Sequence, residues 1–141
     1  MLVHLDECNY ACITTNAMIR KDNHLVMGRG IAQQVRDSFP GIAEDLGTSI
    51  SLLEGKLPKY GLLRSKLYPS MIAFQVKYHW HDEADLELIK YSTTMLTNGA
   101  NKNTNRVYFL NFPGIGNGKL SREDVLPIIE QLPNNVTIWE Y

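Results

Sequence analysis

Two glycine-rich segments of the chain have the chemistry to bind an anionic group. The first spans residues 26–32 (VMGRGIA) and the second spans residues 112–119 (FPGIGNGK). Glycines at alternate positions let a backbone approach a ligand closely, and successive N–H groups in such a loop can form an anion-binding concavity. A helix N-terminus behind the loop also favours negative charge. Each segment is therefore a candidate phosphate-binding loop.

Each segment taken alone is equally compatible with a tight turn. The second segment lacks the spacing of a P-loop, and neither segment matches the G-x-G-x-x-G dinucleotide pattern. However, both follow a predicted strand and precede a predicted helix. In open α/β sheets, loops of this kind meet at the carboxyl ends of the strands, where ligands bind. The pair therefore predicts two arms around one diphosphate.

The hydrophobic pattern predicts the elements that hold these loops. Strands are predicted at 1–5, 11–15, 60–63, 66–68, 71–76, 106–110 and 136–139. Helices are predicted at 28–39, 42–46, 50–54, 84–98 and 121–132. The strands at 60–63 and 66–68 are expected to pair, Ser121 is expected to cap the last helix, and Asn98–Gly99 is expected to end the one before it. Alternation of strands and helices predicts an α/β fold with a largely parallel sheet.

Length and composition favour one ordinary globular domain over residues 1–141. The chain is 44% hydrophobic and 21% charged, which is typical of soluble proteins. The net charge of −1 argues against broad nucleic-acid binding, which depends on a clustered excess of Lys and Arg. A phosphate site built from backbone N–H groups needs no such excess.

The cysteines and the hydropathy pattern point to a cytoplasmic protein. Cys8 and Cys12 have no second pair beside them, so we expect reduced thiols and neither a metal site nor a cofactor. Residues 1–15 lack the basic and apolar regions of a signal peptide. No apolar run is long enough to span a membrane.

Three segments together resemble macro domains. They are Thr15–Asn16 with the first glycine loop, residues 74–80 (FQVKYHW), and the second glycine loop at 113–118. They are most similar to the branch containing the DNA ADP-ribosyl glycohydrolase antitoxins and terminal ADP-ribose protein glycohydrolase, and they come in that branch's order and spacing. The resemblance covers nearly the whole chain. It implies a three-layer α/β/α fold with a mixed, largely parallel sheet, and ADP-ribose or an ADP-ribosylated macromolecule as the partner.

The resemblance also implies a role for individual residues. Asp6 matches the aspartate that binds the adenine amino group, with a loop or capping residue as the alternative. Asn16 matches an asparagine that faces the distal ribose and takes part in catalysis, although a local turn contact is the alternative. The residues that match the two phosphate loops are Met27, Gly28, Gly30, Ile31, Pro113, Gly114, Ile115, Gly116, Asn117 and Gly118.

Catalysis depends on two further positions. Lys77 matches the catalytic lysine of the glycohydrolases, and such a lysine can attack an anomeric carbon or stabilise an opened sugar if burial lowers its pKa. A solvated lysine at a strand end is the alternative. Ser121 stands where the antitoxin branch has an aspartate, which argues against a lysine–aspartate mechanism. His79 and Trp80, beside Lys77, are interpreted as structural and packing residues, with a proton carrier at His79 and ring stacking by Trp80 as the alternatives.

Three hypotheses about function follow. The first is an ADP-ribose-binding module, for example one that sequesters a nucleotide signal. The second is a hydrolase acting on an ADP-ribosylated macromolecule or on ADP-ribose 1''-phosphate. The third is an unrelated α/β protein with two tight glycine turns. The oligomeric state is left open by the sequence.

Overall fold

The computed structural model describes residues 9–55 and 57–140 of the chain. Five strands are present in this part: β1 (Asn9–Thr15), β2 (Leu62–Arg64), β3 (Met71–Gln75), β4 (Val107–Asn111) and β5 (Val136–Trp139). The α-helices are α1 (Gly30–Ser38), α2 (Ile42–Ser51), α3 (Leu86–Lys102) and α4 (Arg122–Ile129), and a short 3-10 turn spans Gly116–Gly118. The predicted strand at 1–5, as well as Asp6 and Cys8, lies outside the described residues.

The five strands form one mixed sheet in the order β2-β3-β1-β4-β5. The central strand β1 runs parallel to both β3 and β4, and β4 runs parallel to β5. The edge strand β2 is antiparallel to β3. The prediction of a mixed, largely parallel sheet is thus confirmed.

The two faces of the sheet bury separate cores, which makes the fold three-layered. Ala11 and Ile13 of β1 pack in a cluster with residues of α1 and α2, whereas Cys12 lies in a second cluster with residues of α3 and α4. Side chains of a strand alternate between faces, so α1 and α2 cover one face and α3 and α4 cover the other. All five residues of β3 are buried, as expected for a strand covered on both sides.

The structure corrects several predicted helix boundaries. One continuous helix, α2, replaces the two short helices predicted at 42–46 and 50–54. Helix α3 continues beyond Asn98–Gly99 to Lys102, because Ala100 is fully buried and the extra turn packs into the core. Helix α4 ends at Ile129 rather than at 132, but its predicted N-cap is confirmed: the Ser121 side chain accepts a hydrogen bond from the Asp124 N–H at 3.2 Å.

The predicted pairing of strands 60–63 and 66–68 is wrong. Strand β2 pairs with β3 instead, and the chain between them is a turn tied to α2. The Asp45 carboxylate accepts hydrogen bonds from the Ser65 hydroxyl at 2.6 Å and from the Lys66 N–H at 2.9 Å. A segment whose N–H groups bond a carboxylate cannot supply them to a sheet.

No helix in the described part of the chain is long and apolar enough to cross a membrane. Within residues 9–55 and 57–140, no three His, Cys, Asp or Glu side chains come together as a metal site would require.

Candidate functional site

A cavity of about 580 Å³ opens at the carboxyl ends of the neighbouring strands β1 and β4. The chain leaves β1 toward α1 on one face of the sheet, and leaves β4 toward α4 on the opposite face. Ligands of open α/β proteins bind at such a switch point, and cavities of roughly 300–1,000 Å³ hold small molecules. The position and size both indicate a ligand site.

Most of the sequence-predicted site residues meet at this cavity. Those that line it are Asn16, Met27, Gly28, Gly30, Ile31, Lys77, Gly114, Ile115, Gly116 and Gly118. Pro113 is buried beside them without being part of the lining, Asn117 lies in the 3-10 turn between two lining glycines, and Asp6 is outside the described residues. The two glycine loops therefore do converge on one space.

Further lining residues were given no site role from the sequence, although most of them lie within the glycine-rich segments or the segments that carry the resemblance. They are Thr14, Thr15, Val26, Arg29, Ala32, Val76, Trp80, Asn111, Phe112 and Glu140. A signal for two of them existed: Thr15 and Asn111 are polar residues that end buried strands, at the edge of the sheet where ligands bind. Arg29 lies within the first glycine loop, whereas Glu140 carries no comparable signal in the sequence.

The N-terminus of helix α1 forms one wall of the cavity. Gly30, Ile31 and Ala32 open the helix and line the space. The N-cap residue Arg29 makes no side-chain cap hydrogen bond, and the first turn carries no acidic residue. By contrast, Asp85 caps α3 with its carboxylate. The positive end of the α1 dipole is thus compensated by neither a cap nor an acid.

The glycines of the second loop are required by the fold. Gly114 and Gly116 have φ of +80° and +66°, in the left-handed region that favours glycine. A Cβ on Gly114 would lie 2.7 Å from the Cδ1 atom of Ile89, and one on Gly118 would lie 2.9 Å from the Cβ of Ala84. These glycines hold the loop close against α3 and the residues before it.

Gly28 in the first loop is different. Its φ is not in the left-handed region, and a Cβ built there would meet nothing within 4 Å. Neither backbone conformation nor packing therefore requires a glycine at this position. Gly28 lines the cavity. The absence of a side chain at this position therefore leaves space open beside the cavity.

A side-chain bridge joins the two strands at the floor of the cavity. The last main-chain pair between β1 and β4 is Cys12 with Leu110. Beyond it, the Asn111 amide oxygen accepts a hydrogen bond from the Thr14 N–H at 3.2 Å, and the amide nitrogen donates to the Thr14 hydroxyl at 3.0 Å. The side chain thus continues the pairing where the main-chain ladder ends.

Asn16 is buried and connects the end of β1 to the first glycine loop. Its Oδ1 accepts from the Met18 N–H at 2.8 Å, and its Nδ2 donates to the Val26 carbonyl at 3.1 Å. The local turn contact considered as its alternative role is therefore present. A side-chain amide has two N–H donors and two acceptor lone pairs, so these two bonds do not exhaust its capacity, and Asn16 also lines the cavity.

A buried tyrosine fixes the same strand end. The Tyr60 hydroxyl donates to the Asn16 carbonyl at 2.6 Å and lies 2.6 Å from the Thr15 hydroxyl. Burial raises the pKa of Tyr60 well above its ordinary value, so the phenol stays neutral. Gln75 holds this tyrosine segment in place, since its Oε1 accepts from the N–H groups of Tyr60 and Gly61 at 2.7 and 2.9 Å.

Lys77 lies two residues beyond β3 and is partly buried in the cavity wall. Its ammonium group donates to the Asp82 carbonyl oxygen at 3.2 Å. The pKa of Lys77 is lowered, first by burial and then by the positive charges of Arg29 and Lys119, with the Asp82 carboxylate acting in the opposite direction. Lys77 is thus less basic than a fully solvated lysine at a strand end.

Arg29 and Trp80 contact each other at this side of the cavity. The guanidinium carbon of Arg29 lies 5.4 Å from the indole centroid, within the range of a cation–π interaction. Trp80, interpreted from the sequence as a packing residue, keeps 39% of its surface exposed. The contact links the first glycine loop to the lysine-bearing segment.

The one carboxylate that lines the cavity in the described part of the chain is Glu140. It forms an ion pair with Arg122, whose guanidinium lies 4.7 Å from the centroid of the Phe112 ring. Ser121 is occupied as the cap of α4, and the acids that follow it, Glu123 and Asp124, are not part of the lining.

Solved structures of macrodomains are similar to this chain along nearly its whole length. The macrodomain of Mycobacterium tuberculosis DarG superposes with a TM-score of 0.71 at 22% identity, covering 95% of this chain and 90% of that one. Thermosipho africanus DarTG in complex with ADP-ribose gives 0.67 at 20% identity over 95% of this chain, which spans 38% of the Thermosipho chain. The macrodomain of Thermus aquaticus DarG gives 0.64 at 22% identity, covering 93% of this chain and 87% of that one.

No protein-family model matches the sequence, and no curated protein matches it either. At these identities the similarity establishes the fold. The resemblance predicted from the three sequence segments is confirmed at that level: the chain has the macrodomain fold.

Proposed function

We propose that this chain, which has the macrodomain fold, binds ADP-ribose or a derivative of it in the cavity between the two glycine loops. The observation that carries the proposal is the convergence of both loops on one space, with the uncapped N-terminus of α1 in its wall. Backbone N–H groups and a helix dipole suit a diphosphate. The Thermosipho structure of the same fold holds ADP-ribose, which adds support.

The charges around the cavity support an anionic ligand as well. Arg29 and Lys77 line it, and Lys119 is close enough to lower the pKa of Lys77. A bound diphosphate places negative charge near these cations, which repel one another in its absence. Its binding therefore relieves an unfavourable interaction of the unliganded protein.

Calorimetric titration of ADP-ribose tests this function, with AMP and ribose 5-phosphate as controls. Micromolar affinity for ADP-ribose, clearly tighter than for either fragment, is the expected result, since only the whole ligand can occupy both phosphate loops and the adenosine side together. An absence of binding at millimolar ADP-ribose would refute the proposal, and the glycine loops would then be turns.

Hydrolysis of an ADP-ribosyl linkage is a second candidate function, favoured by Lys77. A partly buried lysine of lowered pKa in the cavity wall has a larger fraction of neutral amine than a solvated one, and a neutral amine can attack an anomeric carbon. As the amine bonds this carbon, the bond to the departing group breaks and the departing group takes up a proton; water then cleaves the carbon–nitrogen bond, which releases ADP-ribose and frees the lysine. Ser121 has no carboxyl group to supply the proton, and the Glu140 carboxyl group is held by Arg122. Slow turnover is the expected consequence.

Assays on ADP-ribosylated DNA, on ADP-ribosylated protein and on ADP-ribose 1''-phosphate test hydrolysis. Lys77→Ala is expected to abolish turnover, whereas Lys102→Ala, which removes an exposed lysine on α3, is the matched control. Ser121→Asp keeps a good helix cap; because Ser121 caps α4 and does not line the cavity, this variant is expected to leave turnover unchanged. Activity that survives Lys77→Ala would rule out the lysine mechanism, and undetectable wild-type turnover would leave a binding module.

A further inference from the structure

A second, smaller cavity of about 180 Å³ lies on the other side of the first glycine loop. Its lining combines residues of the loop at 20–28 with the start of α2 and one residue of α1. The full lining is Arg20, His24, Leu25, Val26, Met27, Gly28, Arg36, Gly41 and Ala43. Nothing in the function proposed above uses this space.

The polar side chains of the second cavity are basic. Arg20 and Arg36 line it, together with His24, and no acidic residue of the described chain does. Each arginine has an acidic neighbour outside the lining: Arg20 bonds Asp22 at 3.1 Å, and Arg36 bonds Asp37 at 3.1 Å. These pairs are exposed, and exposed ion pairs are weak enough for a ligand to compete with them.

Both guanidinium groups keep donors for a ligand. A guanidinium has five N–H donors. Arg20 gives its Nη2 to Asp22, and Arg36 gives its Nε and Nη2 to a single oxygen of Asp37. The remaining donors of the two arginines are of the kind that binds phosphate, which arginine holds through parallel hydrogen bonds.

The size of the second cavity limits which anions can bind in it. Sites for drug-sized ligands start at roughly 300 Å³, so 180 Å³ is too small for a nucleoside. It is ample for a tetrahedral oxyanion with a few waters, each of which takes about 30 Å³ of liquid volume. The start of α2 at Gly41 and Ala43 also lines the cavity, but Glu44 and Asp45 in its first turn offset the helix dipole, so the two arginines supply the attraction.

We propose that this second cavity is a phosphate site, held by Arg20 and Arg36 and separate from the diphosphate cavity. The strip Val26-Met27-Gly28 is the wall common to the two cavities. The occupant is either free phosphate or an additional phosphate of the ligand in the first cavity; both present the same chemistry to the arginines.

Titration with inorganic phosphate, followed by NMR, tests the site without reference to ADP-ribose. Saturable shifts of the Arg20 and Arg36 Nε–Hε signals are expected in the wild type. Arg20→Gln/Arg36→Gln is expected to weaken the response of the Leu25 and Ala43 amides about tenfold, since each arginine supplies charge-assisted hydrogen bonds. Lys66→Gln/Lys102→Gln removes the same charge outside both cavities and is expected to change nothing. If the double variant does not fold, the single variants Arg20→Gln and Arg36→Gln provide the same test.

Linear, unsaturable shifts, or the same response in both double variants, would overturn the proposal. Comparing the affinity of the protein for ADP-ribose with its affinity for ADP-ribose 2'-phosphate distinguishes the two sources of the phosphate. This comparison rests on the function proposed above. An advantage of the phosphorylated ligand that disappears in Arg20→Gln/Arg36→Gln assigns the phosphate to the ligand, whereas equal affinities assign the site to free phosphate. Failure of ADP-ribose to bind would refute the proposed function and leave the phosphate titration intact.

Discussion

The Gly28→Ala substitution is expected to affect the stability of the fold and the affinity for the ligand differently. The φ of Gly28 is not in the left-handed region, and an added Cβ meets nothing within 4 Å. The substitution therefore strains nothing in the folded state. Because alanine has less freedom than glycine in the unfolded chain, the free energy of unfolding is expected to rise by about 0.4–1 kcal/mol.

Ligand binding is expected to change in the opposite direction. A phosphate that approaches the backbone at residue 28 has to displace the new methyl group or move away from it. Overpacking of this kind costs about 1–3 kcal/mol, which corresponds to a loss of roughly fivefold to 150-fold in affinity. Gly28→Val extends the series and is expected to bind more weakly still.

Calorimetry with ADP-ribose and urea unfolding measure the two effects on the same variants. Gly99→Ala is the matched control: Gly99 lies within α3, its Cβ would also meet nothing within 4 Å, and it lines neither cavity. This control is expected to gain stability and keep its affinity. Wild-type affinity in both Gly28 variants would show that no ligand approaches the backbone there, and a loss of stability in Gly28→Ala would refute the inference that the space around Gly28 is open.

Three further outcomes are expected. Asn111→Ala removes both hydrogen bonds to Thr14 and should lower the free energy of unfolding in urea by about 1–3 kcal/mol. Gly114→Ala, with φ of +80° and a Cβ 2.7 Å from Ile89, should cost more than about 1 kcal/mol by the same measurement; wild-type stability would contradict this loop geometry. The lowered pKa of Lys77 means that the unfolded chain holds this proton more tightly. Stability should therefore rise with pH from the folded pKa of Lys77 toward its unfolded pKa, and this rise should be absent from thermal melts of Lys77→Met.

Residues with strong local patterns were the ones that could be predicted from the sequence. The alternation of strands and helices and the cap at Ser121 depend on neighbours in the chain, and the structure confirms them. The end of α3 could not be predicted in this way. Asn98–Gly99 is a good stop signal, but burial of Ala100 outweighs it, and burial depends on the tertiary fold. The same applies to 66–68, which Asp45 holds as a turn from a distant helix.

The same distinction between local signals and signals that depend on the tertiary fold applies to the site. Glycines at alternate positions identified both loops because their spacing is local. Asn111 and Thr14 are separated by 97 positions, so their bridge exists only once β1 and β4 are neighbours. The contact of Arg29 with Trp80 also depends on two loops meeting. Contacts of this kind can be predicted only when the order of the strands and the positions of the loops are already known.

The shared wall at 26–28 has a thermodynamic consequence. The same three residues line both cavities. If phosphate in the small cavity changes the affinity of the large one by some factor, the ligand of the large cavity must change the phosphate affinity by that same factor. With any factor other than one, the phosphate concentration would set how much of the protein carries its ligand in the large cavity.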